Sequence, residues 1–457
     1  MNHAMQDSAD VVICGAGIAG LAAAYFLAVR GGVGRVVLVD ERPPLSLTSD
    51  KSTEAYRNWW PGPGRVMVQL MNRSIDLLEE LAEASDNVFQ LNRRGYVYLA
   101  ATPAGAEQLL ANAQTIAGLG AGALRQHPGR EPYLPAPAHG FHNQPGGADY
   151  LPGDLLRQQF PFLTAEVQAG LHARRCGWLS AQQLGTYWLE QVKGAGGRLL
   201  PGRVTGVQVR GGRVVGVQLN GDTTLATGCF VNAAGPYLAE VGQMLGVGLP
   251  VFNELHLKMS FSDTLGVVPR DVPMMIWDEP LALPWSAEER AELAGDPEMA
   301  WLLETLPAGL HFRPEGGGGS PILLMLWPYH TGRHAPVWPP PPPDALYPEV
   351  LLRGMSRMVP GLAAYLGRTG RPYIDQGYYC KTVENRPLIG PLPVTGAFVI
   401  GALSGYGIMA APAAGELLAA HVTGRGLPDY APALQLARYQ DSAYQALLAG
   451  WGETGQL

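Results

Sequence analysis

Three glycines near the start of the chain have the spacing of a phosphate-binding turn. Gly15, Gly17 and Gly20 lie between a short apolar run, residues 11–14, and an Ala- and Leu-rich stretch predicted to be helical, residues 18–30. The first glycine allows a sharp turn, the second lets the backbone approach a pyrophosphate, and the third lets helix and strand pack closely. The phosphates would then meet the positive end of the helix.

An acidic residue stands where the ribose of a dinucleotide would be bound. Asp40 closes a second apolar run, residues 36–40, and comes 20 residues after Gly20. A carboxylate at this position can accept hydrogen bonds from ribose hydroxyls. Because strand, turn, helix and acid coincide, chance is a poor explanation even in a chain with 59 glycines. The pattern predicts a dinucleotide site for either NAD or FAD.

Length and composition indicate a globular enzyme of more than one domain. The chain has 457 residues, too many for one ordinary hydrophobic core. Apolar residues make up 47% and charged residues 16%, as in soluble globular proteins. The net charge of −7 argues against nucleic acid as a partner, since such partners require clustered positive charge.

The cysteines and the apolar runs give no sign of a metal site, a disulfide framework or a membrane segment. Cys14, Cys176, Cys229 and Cys380 are far apart and form no CxxC pair. No run reaches the roughly 18 apolar residues of a membrane span, and the first residues lack the pattern of a signal peptide. We expect a soluble, cytoplasmic protein without a bound metal.

Hydrophobic periodicity and turn residues predict the elements that position the glycine turn. Gly211-Gly212 predicts a hairpin turn, Ser286 with Glu289 a capping box, and the five prolines within residues 338–344 a stiff extended loop. The predicted helices cover about 65–83, 181–193 and 412–422, and the predicted strands about 95–100, 204–209, 213–219, 229–232, 255–261, 322–326 and 398–400.

Five segments, in this order, resemble the D-amino-acid oxidase superfamily, in particular its glycine and sarcosine oxidase and dimethylglycine dehydrogenase branch. They are DVVICGAGIAGLAAAYFLA (10–28), TSDKSTEAYR (48–57), GGRVVGVQLNGDTTLATGCFVNAAGPY (211–237), YYCKTVENRPLIGP (378–391) and GALSGYGIMAAPAAGELLA (401–419). The resemblance runs through most of the chain.

The resemblance implies an α/β protein with a Rossmann-like FAD-binding domain and a second, α+β substrate domain built on an antiparallel sheet. The FAD-binding domain would be discontinuous and would comprise residues 1–84, 150–245 and 375–457. Residues 85–149 and 246–374 would form the substrate domain over the flavin.

The resemblance also implies FAD as the cofactor and a set of residues that contact it. Asp40 would bind the ribose, Arg42 would lie by the adenine, and Thr48 and Ser49 by the pyrophosphate. The turn 404–407, followed by a helix, would place backbone N–H groups beside the flavin ring. The full set is Gly15, Ala16, Gly17, Ile18, Ala19, Gly20, Asp40, Glu41, Arg42, Thr48, Ser49, Lys51, Ser52, Val204, Ala234, Gly235, Ser404, Gly405, Tyr406, Gly407, Ile408 and Met409.

One cysteine invites comparison with relatives that bind FAD covalently through the 378–391 turn. By the spacing to Thr382, the position of the linked cysteine is taken by Tyr379, one residue before Cys380. We therefore expect non-covalent FAD, a packed thiol at Cys380 and a place for Tyr379 in the wall of the substrate cavity.

Arg57 matches the arginine that holds the substrate carboxylate in sarcosine-oxidising relatives. A guanidinium group suits a bidentate carboxylate clamp, although an ordinary ion pair is the alternative. Tyr406, where the family often has His, is a further candidate beside the flavin. Trp59 and Trp60 could supply an aromatic wall or simply pack in the core.

Two departures from the family bear on the reaction. Leu326 stands where monomeric sarcosine oxidases carry an oxygen-activating lysine, and without that cation reaction with O2 should be slow. Lys258 or Lys381 could compensate, although each would more often be a surface lysine. Met409 replaces a second, lysine contact to the carboxylate, which leaves the substrate open.

The resemblance thus implies oxidation of the C–N bond of a small amino acid or N-alkyl amino acid to an imine, by a dehydrogenase rather than an oxidase. The partners would be an amine substrate and an electron acceptor (oxygen, a quinone or a protein), and an oligomer is compatible with the sequence. Oxidation of a 2-hydroxy acid or of glycerol 3-phosphate is one alternative. A non-catalytic flavin subunit, with the insertions at 280–345 as docking surfaces, is another.

Overall fold

The computed structural model describes residues 8–329, 331–368, 370 and 372–451. The strands are β1 (Val11–Cys14), β2 (Val36–Asp40), β3 (Ala55–Arg57), β4 (Tyr96–Ala100), β5 (Leu124–Gln126), β6 (Ala148–Pro152), β7 (Ala169–Ala173), β8 (Cys176–Trp178), β9 (Arg198–Pro201), β10 (Val204–Arg210), β11 (Arg213–Leu219), β12 (Thr223–Ala226), β13 (Phe230–Asn232), β14 (Phe252–Ser262), β15 (Met274–Trp277), β16 (Leu281–Ala282), β17 (Thr305–Leu306), β18 (Leu310–Pro314), β19 (Ile322–Leu326), β20 (Tyr373–Lys381), β21 (Leu388–Pro391) and β22 (Ala397–Gly401). The α-helices are α1 (Ile18–Tyr25), α2 (Val66–Ala84), α3 (Pro103–Ile116), α4 (Gly153–Gln159), α5 (Ala181–Gly194), α6 (Leu238–Gln243), α7 (Ala287–Ala294), α8 (Tyr347–Met358), α9 (Gly407–Thr423) and α10 (Ser442–Ala449).

A six-stranded sheet carries the glycine turn. Its order is β21-β22-β13-β1-β2-β9, and all neighbouring strands are parallel except β21, which is antiparallel to β22. The strand β1 is buried throughout, as expected for a parallel strand covered on both faces. One face of this sheet shares a hydrophobic core with helices α1, α2, α5 and α9. The other face shares a second core with β10, β11 and β12.

A nine-stranded sheet lies in the order β20-β14-β19-β18-β15-β4-β7-β6-β5. It is mixed rather than purely antiparallel, because β15 pairs in parallel with β4 and β5 in parallel with β6. The strands β7 and β20 fall at least partly in the stretches 150–245 and 375–457 that the resemblance assigns to FAD binding. They nevertheless pair within this sheet, so its borders do not follow those residue numbers.

The two faces of the nine-stranded sheet differ in chemistry. One face is apolar, with Val97, Met275 and Phe312 in a core that includes α8. On the opposite face, strand register aligns one row of side chains. We call it the cleft-facing row, because its Lys258 contacts the loop at Ser52, which borders the cleft described below. In sheet order this row consists of Asp375, Lys258, Leu326, His311, Ile276, Tyr98 and Leu171.

Most element predictions are confirmed within a few residues, including the capping box at Ser286 and the hairpin turn at Gly211-Gly212. The prediction for α9 is wrong at its start, because this helix begins at Gly407 rather than Pro412. Pro412 has no N–H to donate, and the helix continues past it with help from α2. The Ser74 hydroxyl donates to the carbonyl of Met409 and accepts the N–H of Ala413 at 3.3 Å.

Close backbone contact between α1 and α9 depends on glycine. A Cβ atom at Gly415 would lie 2.8 Å from the carbonyl carbon of Ala22. Of the glycines in α1 and α9, Gly415 is therefore the one at which an added Cβ would clash with the other helix.

We expect Gly415→Ala to lower the free energy of unfolding by about 1–3 kcal/mol, because the added methyl overpacks the α1–α9 contact. Gly194→Ala is the matched control, since a Cβ there has no heavy atom within 4 Å. That variant should be neutral or slightly stabilising, by up to about 1 kcal/mol. Thermal unfolding of both variants tests this, and equal stabilities would contradict the packing argument.

Candidate functional site

A deep cleft opens at the carboxyl edge of the six-stranded sheet, and we call it the main cleft. Its empty volume is about 860 Å3. Helices α1 and α9 both begin at this cleft, since Gly17 and Gly407 line it. Many of the predicted site residues line its walls: Gly15, Gly17, Ile18, Ala19, Asp40, Thr48, Ser49, Ser52, Ala234, Gly235, Tyr379, Ser404, Gly405, Gly407 and Ile408.

The three glycines have separate structural tasks. Gly15 has φ +110°, and a Cβ there would lie 2.4 Å from the carbonyl oxygen of Ala233. A Cβ at Gly20 would lie 1.9 Å from the carbonyl oxygen of Gly15, so this glycine allows the close helix contact. Gly17 faces the cleft, where a Cβ would meet only the Ser49 hydroxyl, at 3.4 Å. Gly17 thus leaves backbone exposed to a ligand, while Gly20 lies behind the turn.

Asp40 is fixed in place by backbone donors. Its carboxylate accepts the N–H of Ala16 at 2.8 Å and the N–H of Arg42 at 2.9 Å. The Ser49 hydroxyl accepts the N–H of Ile18 at 3.0 Å and so ties the loop after β2 to the start of α1. These bonds hold the Asp40 carboxylate between the glycine turn and the loop after β2, where a ribose would be bound.

A second cavity continues from the main cleft and shares Gly15, Asp40, Leu47 and Ala234 with it. We call it the side cavity, and its empty volume is about 1030 Å3. Its further walls include Glu41, Arg42, Val204, Tyr237 and Trp338. The two cavities together offer an elongated space that suits a dinucleotide, with a glycine face, two helix N-termini and a fixed carboxylate.

Some predicted contacts are engaged with the protein itself or lie outside the main cleft. Thr48 donates its hydroxyl to the carbonyl of Tyr378 at 2.7 Å. Lys51 lies outside the cleft lining and pairs with Asp50 at 2.7 Å and with Asp375 at 3.1 Å. Met409 lies behind the wall, where its carbonyl is bound by Ser74.

Tyr406 supports the 404–407 turn from behind. Its hydroxyl donates to the carbonyl of Asn385 at 2.7 Å, and its ring contacts the edge of Trp60 with centroids 5.0 Å apart. The loop that carries Asn385 is anchored by a buried ion pair, in which Arg438 donates to Glu384 at 2.7 Å. Tyr406 is therefore placed as a support for the turn rather than as a group exposed to a ligand.

Arg57 is a buried cation beside Tyr98 of the cleft-facing row, and it is not among the residues that line the main cleft. Its side chain lies on β3, and the residue is only 2% exposed. Its Nη1 atom donates to the Tyr98 hydroxyl at 3.1 Å, and its guanidinium carbon lies 4.9 Å from the centre of the Trp60 ring. Trp60 is buried as well, so this wall of the site is aromatic.

Two titratable groups, His311 and Asp278, lie near Arg57, and no sequence motif marks either of them. His311 donates its Nδ1–H to the carbonyl of Gly309 at 2.8 Å, and burial, with a contribution from the Arg57 charge, lowers its pKa to about 4. The ring is thus neutral near pH 7, and Nε2 is a hydrogen-bond acceptor. Burial raises the pKa of Asp278 to about 6, although the charge of Arg57 acts in the opposite direction.

Lys258 is buried rather than exposed, so the expectation of a plain surface lysine is wrong. Its residue is 7% exposed, and its ammonium donates to the carbonyl of Ser52 at 2.7 Å. Burial lowers the pKa of this ammonium. Four strand spacings separate β14 from β4, so Lys258 and Tyr98 lie about 19 Å apart along the sheet. One small substrate cannot touch both.

Tyr379 lines the main cleft and stacks on His256, with ring centroids 4.1 Å apart. Burial raises the pKa of its hydroxyl to about 12. Lys381 pairs with Glu254 at 2.9 Å, beside His256. Burial also raises the pKa of Cys380 to about 12, which is the behaviour of a packed thiol.

Leu326 is buried in the cleft-facing row, opposite His311 and in the strand next to Lys258. His330, four residues further along the chain, lies outside the described residues. Within the residues the structure describes, no group of three His, Cys, Asp or Glu side chains could hold a metal ion, and no helix is long and apolar enough to cross a membrane.

Sequence reasoning missed Tyr98, His311, Asp278 and Trp338. The sequence does predict the strand of Tyr98, but no motif marks the face to which its side chain points. His311 and Asp278 become neighbours of Arg57 only through the pairing of β18, β15 and β4. Strand register over long sequence separations therefore decides these contacts.

Solved structures of similar fold cover nearly the whole chain. An L-proline dehydrogenase from P. horikoshii has a TM-score of 0.72 at 18% identity and covers 97% of this chain and 99% of its own. A glycine oxidase from Geobacillus kaustophilus has a TM-score of 0.70 at 19% identity, with 94% and 98% covered. An iminodiacetate oxidase from Chelativorans sp. BNC1 has a TM-score of 0.68 at 18% identity, with 93% and 98% covered. At these identities the likeness shows the fold.

No match to the chain was found among curated proteins. Residues 10–421, in contrast, match the family model DAO, described as FAD dependent oxidoreductase. This match includes the glycine turn, Asp40, Arg57, the cleft-facing row and the start of α9. The chain therefore belongs to the DAO family of FAD-dependent oxidoreductases.

Proposed function

We propose that this enzyme oxidises the C–N bond of a small amino acid or N-alkyl amino acid to an imine, and that it is a dehydrogenase rather than an oxidase. The observation that carries the proposal is Arg57, a buried guanidinium between Tyr98 and Trp60 at the end of the cleft-facing row. The names of the similar structures, which include a proline dehydrogenase, a glycine oxidase and an iminodiacetate oxidase, agree with an amino-acid substrate.

The cofactor contacts follow from the two cavities. In this proposal the pyrophosphate lies at Gly15, Gly17 and the start of α1, and the ribose at Asp40. The adenine end occupies the side cavity by Arg42 and Val204, while the turn 404–407 lies by the flavin ring. FAD is held without a covalent bond, because Tyr379 occupies the position of the linked cysteine. Cys380 also lines the main cleft, but burial raises the pKa of its thiol to about 12, which makes it a poor nucleophile near pH 7.

In the same proposal the domain borders follow the two sheets. The FAD-binding domain comprises the strands of the six-stranded sheet, which come from residues 11–40, 198–232 and 388–401. The substrate domain comprises the nine-stranded sheet, including β7 and β20. This assignment removes the residues of β6, β7 and β20 from the expected FAD-binding segments 1–84, 150–245 and 375–457 and places them in the substrate domain.

Bound FAD supplies the electron and hydride acceptor, and the protein supplies binding and orientation. Arg57 binds the substrate carboxylate through paired N–H donors, with the Trp60 ring against the guanidinium face. The buried, largely aromatic wall favours the neutral form of the substrate amine, since burial disfavours a charge. The Nε2 atom of His311, which carries no proton near pH 7, accepts an N–H of that amine and helps to orient it.

Oxygen reactivity depends on where positive charge lies. Leu326, an apolar residue, stands at the position in the row where relatives have the oxygen-activating lysine. Lys258 is in the neighbouring strand, but its ammonium is directed to the carbonyl of Ser52. A cation held on a carbonyl is less available to stabilise negative charge on oxygen, so we propose an acceptor other than O2.

A second candidate function is oxidation of a 2-hydroxy acid, and His311 is the observation that favours it. An imidazole fixed with Nε2 as the acceptor could take the proton of a substrate hydroxyl. Its pKa of about 4 makes it a weak base, which is why we rank the amine reaction first.

The main test is an anaerobic screen of the purified holoprotein against glycine, sarcosine, proline, other N-alkyl and D-amino acids, and 2-hydroxy acids, followed by admission of air. We expect an amino acid to bleach the flavin band and air to restore it slowly. Rapid recovery with peroxide would make the protein an oxidase and refute the argument from Leu326. Bleaching by hydroxy acids alone would select the second candidate. No bleaching would mean that the substrate lies outside these classes or that the chain is a non-catalytic subunit, and either would contradict the proposal.

We expect Arg57→Met to weaken the binding of a carboxylate ligand such as 2-furoate by about 30-fold or more, the effect of losing one partner of a buried charge pair. The Kd is measured from the perturbation of the flavin spectrum, at unchanged flavin content. Arg35→Met is the control, since Arg35 is a surface residue whose side chain is 60% exposed. An unchanged Kd in Arg57→Met would remove this residue from the site.

Binding of the same ligand should depend on pH through Asp278. Its carboxyl group is neutral below a pKa of about 6 and charged above it, so it then offsets the charge of Arg57. We expect affinity for 2-furoate to fall by roughly tenfold as pH rises through this value, as for a charge several ångströms away. His311 and Tyr98, with pKa values of about 4 and 12, keep their protonation states in this window.

Asp278→Asn should abolish the pH step, while Asp222→Asn, at an exposed position, should keep it. A step that persists in Asp278→Asn, or a flat profile in the unchanged protein, would contradict this assignment.

A further inference from the structure

The proline-rich insertion reaches the side cavity. Pro336, Val337 and Trp338 line this cavity together with Asp40 and Val204, although they are more than 130 residues from both in sequence. We propose that Trp338 closes the adenine end of the cofactor site and contributes directly to FAD affinity. The proposal rests on the adenine position proposed above and is independent of the substrate.

The insertion is tied to the wall of the main cleft. The hydroxyl of Tyr378 accepts the N–H of Val337 at 3.2 Å and lies 3.3 Å from the carbonyl of the same residue, to which it can donate. The carbonyl of Tyr378 in turn accepts the hydroxyl of Thr48 at 2.7 Å, and Tyr378 lines the main cleft. The backbone next to Trp338 is therefore fixed relative to the loop that binds the pyrophosphate in the proposed site.

A cation lies between two aromatic rings at the mouth of the side cavity. The guanidinium carbon of Arg42 is 5.3 Å from the centre of the Trp338 ring and 5.8 Å from the centre of the Tyr237 ring. Arg42 also pairs with Glu41 at 2.9 Å. Trp338 is thus part of an organised wall, and contacts of this kind with a cation are favourable.

The Trp338 ring nevertheless remains 50% exposed. An aromatic ring that lines a cavity and keeps an accessible face can stack on a base. Five prolines follow it directly, and such a run is stiff and already extended before a ligand binds. A preorganised loop loses little conformational entropy when adenine enters, so the stacking contact is retained as affinity.

Titration of the apoprotein with FAD and with ADP, by calorimetry, tests the proposal without any turnover. ADP carries the adenosine end and lacks the flavin. We expect Trp338→Ala to raise the Kd for both ligands by a similar factor, about 5- to 100-fold, the usual effect of removing one base-stacking ring. Trp338→Phe should keep most of the affinity.

Tyr373→Ala is the matched control, because Tyr373 is 63% exposed and lies outside both cavities. It should bind FAD and ADP like the unchanged protein. If Trp338→Ala binds both ligands normally, or loses affinity for FAD but not for ADP, the proposal is wrong. A variant with normal FAD and ADP affinities but slower transfer of electrons to its acceptor would instead make the insertion a docking surface.

The same experiment separates this proposal from the proposed function. Failure of amino acids to bleach the flavin would not alter the Kd for ADP. Conversely, a normal Kd in Trp338→Ala would leave the amino-acid reaction untouched and remove only the role of the insertion.

Discussion

The arrangement of the site depends on the close approach of backbone at glycine. Gly20 brings the start of α1 against the turn at Gly15, and Gly415 brings α9 against α1, at distances that leave no room for a side chain. Because both helices are held this way, both begin at the same cleft. Their N-terminal N–H groups then provide positive potential at two points of one elongated space. Such potential stabilises negative charge on the pyrophosphate of FAD and on its reduced ring.

The nine-stranded sheet supplies the other half of the site by register. One row crosses the sheet and places Lys258 at one end, Leu326 and His311 in the middle and Tyr98 with Arg57 at the other end. Because the row is long, the two cations near it, Arg57 and Lys258, are too far apart to contact one small substrate, and the sequence alone does not show this separation. In the proposed function Arg57 is the cation for a substrate carboxylate, whereas Lys258 donates to the carbonyl of Ser52, in the loop that lines the main cleft. An apolar side chain stands between them, where oxygen-reducing relatives place a lysine.

The sequence predicts the parts of this protein that depend on local constraint. The glycine turn, the place of Asp40 at the end of β2 and the capping box at Ser286 are each set by a few neighbouring residues, and the structure has all three at the expected positions. The predicted start of α9 is wrong because Pro412 does not mark the boundary of this helix: a serine from a distant helix bridges the interrupted ladder. His311, Asp278 and Trp338 could not be predicted, because strand pairing and the path of the insertion bring them to the site from distant segments.

In the proposed site the substrate carboxylate binds at Arg57, and FAD occupies the two cavities. A crystal structure of the holoprotein with 2-furoate would show where each group lies. We expect the carboxylate on the Arg57 guanidinium within reach of Tyr98, the adenine in the side cavity, and the flavin ring beside the turn 404–407. A carboxylate bound at Lys258, or a flavin ring that does not face the row containing Leu326 and His311, would contradict this proposal.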